Sequence, residues 1–82
     1  MYEILFTHTA KQQLKNSPQN IRDEIGAELE RIKVRPFSFV KRLIKSPYYR
    51  LRVGGYRVIM DIRPSHLIIL VIELGHRGVI YK

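Results

Sequence analysis

The residues of this chain best suited to chemistry are arginines. Arg50 and Arg52 alternate with apolar neighbours in Tyr49-Arg50-Leu51-Arg52-Val53, and Arg57 follows Gly54-Gly55-Tyr56. Farther along, His76-Arg77 stands before Gly78, and Tyr81 lies four residues beyond Arg77. A guanidinium stays protonated and presents paired N–H donors that match a phosphate. A histidine, with an ordinary pKa of about 6.5, can move protons. A tyrosine beside arginine can stack on an unstacked base. Other chemistries lack their residues. No glycine-rich phosphate loop precedes a helix, no Ser-His-Asp order is present, and no close pair of acids can be argued. The chain has no cysteine, which excludes thiol catalysis, disulfides and Cys-type zinc sites. His8 and His66 form no ligand pattern with His76, so neither a metal nor another cofactor is expected. An enzyme built from this chain works with Arg, Tyr and His.

The elements that position these side chains follow from periodicity. Tyr49, Leu51 and Val53 alternate with Tyr48, Arg50 and Arg52, while Tyr56, Val58, Met60 and Ile62 alternate with Arg57, Ile59 and Asp61. Gly54-Gly55 between the two runs is a two-residue hairpin turn of the kind that needs positive φ. That loop length pairs Val53 with Tyr56 and Arg52 with Arg57. Paired side chains leave the same face with Cβ atoms about 5 Å apart, and like charges so placed are destabilising. Arg50 lies on that face as well. Three guanidiniums on one patch fit an anion site. The competing expectation is a surface network neutralised by Asp61, one carboxylate against three cations. The same alternation turns Tyr49 and Tyr56 toward the core and leaves Tyr48 and Tyr81 open. Lys41, Arg42 and Lys45 either extend the cationic row or are simply solvated, and Arg63 and Lys82 read as plain surface charge.

The remaining elements complete an α+β domain spanning residues 1–82. Tyr2 to Thr7 reads as a strand, and Thr9 to Lys15 as one or two helical turns. Ser17-Pro18 is a helix start, followed by Ile21, Ile25, Leu29 and Ile32 on one helical face. Pro36 ends that helix, which covers about residues 18–34. Arg63-Pro64-Ser65-His66 is a second turn. Leu67 to Leu74 is apolar on both faces except at Glu73 and reads as a central strand. Val79-Ile80-Tyr81 is a short last strand. The order β-α-α-β-β-β(-β) predicts two N-terminal helices packed on one face of a small antiparallel sheet.

Charge narrows the partners. The chain of 82 residues carries +8, with residues 1–30 at −2 and residues 31–82 at +10. Such self-repulsion points to an anionic target, nucleic acid first. An anionic membrane surface is the weaker option, because the polar face of the long helix holds four acids. The longest apolar run, Leu67 to Ile72, is far short of the roughly 20 residues a bilayer span needs. The N-terminus shows no signal-peptide pattern, so a cytoplasmic protein is expected.

The segment Tyr49-Arg50-Leu51-Arg52-Val53-Gly54-Gly55-Tyr56-Arg57-Val58-Ile59, with Gly75-His76-Arg77 and Tyr81 after it, resembles the RelE/ParE toxin superfamily of toxin–antitoxin modules. Tyr2-Glu3-Ile4-Leu5-Phe6 and Glu30-Arg31-Ile32-Lys33 resemble it too, so the likeness covers nearly the whole chain. The resemblance implies a RelE-like fold related to small microbial ribonucleases. It implies an mRNA endoribonuclease acting in the ribosomal A site, which inhibits translation and is blocked by a cognate antitoxin. Implied partners are therefore an antitoxin protein, the ribosome and mRNA, without a membrane or a metal. Arg57 matches the family arginine at the scissile phosphate, Arg77 the arginine after the central strand, and Tyr81 the terminal tyrosine. Arg50 and Arg52 stand where the best-known RelE toxins have lysines, and an arginine does not serve as a base. Tyr81 or His76 is then expected to remove the 2′-OH proton, while Arg50, Arg52, Arg57 and Arg77 stabilise the phosphorane. ParE-like relatives share the fold but inhibit DNA gyrase, and a non-catalytic RNA- or ribosome-binding module is a further alternative.

Overall fold

The computed structural model describes residues 1–76, so Arg77, Tyr81 and the expected strand at 79–81 lie outside the described residues. The first strand, β1 (Glu3–Phe6), leads into helices α1 (His8–Lys15) and α2 (Gln19–Ile32). A 3-10 turn at Pro36–Ser38 follows, then strands β2 (Lys41–Arg42), β3 (Tyr49–Val53) and β4 (Tyr56–Arg63). A second 3-10 turn at Pro64–His66 precedes β5 (Ile68–His76). Thr7 caps α1, its Oγ1 accepting the Ala10 N–H at 3.1 Å. At the start of α2, Pro18 is the N-cap residue and no side chain caps the helix. The Ser17 hydroxyl expected to cap it turns back instead and donates to the Gln13 carbonyl at 2.8 Å.

Five strands form one sheet in the order β1-β5-β4-β3-β2. The α+β class, the two helices and the central position of β5 are as the sequence predicts. The sheet is mixed rather than wholly antiparallel, because β1 runs parallel to β5, pairing Glu3 with Ile68 through Phe6 with Val71. Strand composition carries no direction; here the helical connection sets it. The chain leaves β1, passes through both helices and enters the sheet at the opposite edge, and the β2-β3-β4-β5 meander then returns to β1. The two-residue β2 is too short to show any alternation.

The core lies between the helices and one face of the sheet. Ala10, Ile25, Leu29 and Ile32 pack with Leu51, Val53, Val58, Met60, Ile62, Ile69, Val71 and Leu74. Ile25, Ile32, Val58, Met60, Ile69 and Val71 are fully buried. Alternation sends Arg50, Arg52, Arg57, Ile59, Asp61 and Arg63 to the opposite face. One irregularity matters there. Ile59 pairs with Glu73 and Met60 with Val71, so Ile72 is an extra residue in β5. Such a β-bulge reverses the alternation beyond it. Leu74 therefore returns to the core, and Glu73 joins the open face. Helix α1 braces the bulge on both sides. The Thr7 hydroxyl donates to the Ile72 carbonyl at 2.6 Å, and the Leu74 N–H donates to Gln13 Oε1 at 2.7 Å.

Candidate functional site

The hairpin turn is built as the spacing requires, with Val53 opposite Tyr56 and Arg52 directly opposite Arg57. Of the two turn glycines, Gly54 alone has positive φ, at +59°. Gly55 has a different reason to be glycine: a Cβ there would stand 3.2 Å from His76 Nε2. A second like-charged pair accompanies the first, since Lys41 of β2 lies opposite Arg50 of β3. Like charges directly opposite each other on adjacent strands repel.

Asp61 does not balance these charges. Its carboxylate accepts from Arg63 Nε at 2.7 Å, which raises the Arg63 pKa. Arg63 is thus surface charge held by a carboxylate. Asp61 is thus committed to Arg63 rather than to the arginines of the hairpin.

The cations divide between two neighbouring grooves. Arg57 lies in a groove of about 430 Å³ between the β2–β3 loop and the open face, lined by Leu43, Ile44, Ser46, Tyr48, Ile59, Ile72 and Glu73. Its Nε is buried there. Gly75 stands opposite Arg57 in β5. Tyr48, left open by the sequence, forms part of this groove and is 37% exposed. Arg50 and Arg52 line a second groove of about 400 Å³ at the sheet edge with Lys41, Phe39, Arg31 and Glu28. Glu28 is held by Arg31, whose Nε and terminal N–H donate to its two oxygens at 2.9 and 2.7 Å. This hydrogen bonding lowers the Glu28 pKa. The Arg31 guanidinium also lies 4.1 Å from the Phe39 ring centre.

His76 is placed away from Arg57. It pairs with Tyr56, and the two rings meet edge to face with centres 5.5 Å apart. Alternation puts His76 on the face opposite that of Gly75 and Arg57. Tyr49 packs against the core and meets Phe37 edge to face at 5.3 Å. Arg42 is tied to the β2–β3 loop, its Nε donating to the Ser46 carbonyl at 3.3 Å. Glu73 and Tyr48 are the groove residues that the sequence did not place. Alternation continued from Ile69 and Val71 turns Glu73 inward, and only the bulge reverses that. Among the described residues no cluster of three or more His, Asp or Glu could hold a metal ion. No helix among them is long and apolar enough to cross a membrane.

The family model of the ParE toxin of type II toxin–antitoxin systems, parDE, matches residues 4–81. The chain belongs to this family. It is a RelE/ParE-like toxin of a type II toxin–antitoxin module. The fold of this toxin is similar to the E. coli RelBE toxin–antitoxin complex, with a TM-score of 0.80 and 21% identity over 93% of this chain and 96% of that one. The archaeal RelE–RelB complex of Pyrococcus horikoshii gives a TM-score of 0.81 at 22% identity, over 96% and 98%. The RelBE2 complex of Mycobacterium tuberculosis gives 0.77 at 26% identity, over 93% and 98%. No curated protein sequence matches the toxin.

Proposed function

We propose that this toxin is an endoribonuclease of the RelE type, which cuts mRNA on the ribosome and so stops translation. The observation that carries the proposal is the direct opposition of Arg52 and Arg57, with Arg57 lining a groove that Tyr48 also lines. In this mechanism the RNA supplies its own nucleophile. The 2′-oxygen attacks the adjacent phosphorus and the P–O5′ bond breaks, leaving a 2′,3′-cyclic phosphate and a 5′-OH. Arg57, partly buried in this groove, holds the non-bridging oxygens as charge accumulates on them. Arg50, Arg52 and Lys41 in the adjoining groove hold the flanking phosphates and fix the strand's register. Tyr48 offers a face on which a base can stack. Arg77 joins the charge cluster in this proposal, and Tyr81 stacks on a base. The structural likeness to RelBE complexes supports a cognate antitoxin as partner.

The match to the ParE toxin model keeps a second reading, the inhibition of DNA gyrase that the resemblance to ParE-like toxins implies. Pulse labelling after induction separates the two. The nuclease proposal predicts that amino-acid incorporation falls before thymidine incorporation; the reverse order supports gyrase as the target.

A further inference from the structure

The β-bulge in β5 has a chemical consequence. Without the extra residue Ile72, Glu73 would follow the phase of Ile69 and Val71 and meet the helices. With it, Glu73 lies on the open face, in the same groove as Arg57 and Tyr48. Glu73 pairs with Ile59 and Gly75 with Arg57, so Glu73 is the diagonal neighbour of Arg57 across β4 and β5. Diagonal positions place Cβ atoms about 7 Å apart. That distance accommodates a phosphate on the guanidinium and the neighbouring ribose hydroxyl on the carboxylate. Two hydrogen bonds from α1, by Thr7 and Gln13, hold the bulge on either side of Glu73. The chain thus commits a helix cap and a part-buried side-chain amide oxygen to keeping the Glu73 carboxylate in the groove that holds Arg57. His76 faces the other way, against Tyr56.

From this juxtaposition we infer that Glu73 is the general base of the cleavage reaction. This inference rests on the nuclease function proposed above. The Glu73 carboxylate takes the 2′-OH proton as the O2′–P bond forms. The P–O5′ bond breaks, and the departing O5′ is protonated by water. Arg57 stays protonated throughout and stabilises the phosphorane. The alternative role for Glu73 is purely electrostatic, as a counter-charge that orients Arg57. The titratable side chains sharing the groove with Glu73 among the described residues are Arg57 and Tyr48.

Single-turnover cleavage of mRNA on programmed ribosomes, measured against pH, tests this with wild type, Glu73→Gln and Arg57→Ala. Glu73→Gln is expected to slow cleavage by about 10²–10⁴-fold. It should also abolish the acid limb of the rate profile while leaving RNA affinity within a few-fold of wild type. Glu73→Asp, which keeps the carboxylate, should retain the acid limb at a reduced rate. A Glu73→Gln protein that cuts at the wild-type rate, or more slowly with its acid limb intact, overturns the assignment. If wild type cuts, Arg57→Ala does not and Glu73→Gln is unimpaired, only the base assignment falls. If wild type leaves the message intact, the nuclease function falls and this inference with it.

Discussion

At the scale of single residues, the site is defined by how each charge is or is not balanced. Glu28 pairs with Arg31 and Asp61 with Arg63, while Lys41 lies opposite Arg50 and Arg52 opposite Arg57. The Glu28 pairing has its own pH signature. Its folded-state pKa lies below the ordinary 4.5, so its contribution to stability is complete above that value and fades as pH falls through the lowered pKa. Because the pair is largely solvent-exposed, the effect is small. Thermal melts should show wild type slightly above Glu28→Gln at pH 7, with the two converging as the pH falls below 4.5. A gap that widens in acid would contradict the pairing. Arg52 opposite Arg57 was legible from the residues alone, because a two-residue turn leaves one register. Glu73 was not, because its orientation depends on two hydrogen bonds that span 65 and 61 positions in sequence, from the Thr7 hydroxyl to the Ile72 carbonyl on one side and from the Leu74 N–H to Gln13 Oε1 on the other.

At the scale of elements, the hairpin is the positioning device. Gly54 has φ +59°, where an L side chain is strained, whereas Gly55 only needs room next to His76. Gly54→Ala should therefore lower unfolding stability by about 1–2 kcal/mol in a urea titration. An unchanged midpoint would mean that the turn relaxes to another form. The helix face formed by Ile25, Leu29 and Ile32, the alternation in β3 and β4, and the apolar central strand were all legible, because each buries residues at its own period. The parallel β1–β5 pair and the short β2 were not. Direction comes from the connection, and two residues show no period.

At the scale of the whole molecule, the charge imbalance acquires a geometry. Acids are concentrated in residues 1–30, while Arg57 lines a groove on the open face of the sheet and Lys41, Arg50 and Arg52 line one at its edge against α2. If Arg50, Arg52 and Arg57 each hold a phosphate, log affinity for single-stranded RNA should fall with log salt at a slope steeper than about −2. Arg52→Ala should flatten that slope by about 0.7. An unchanged slope would remove Arg52 from the RNA path. The central claim is that the Arg57 groove cleaves a ribonucleotide linkage, and primer extension on a translated message after induction tests it most directly. New 5′ ends within codons in cells expressing wild type, absent with Arg57→Ala at equal protein level, are the predicted result. The same ends with both proteins, or intact message with wild type while growth stops, would contradict it.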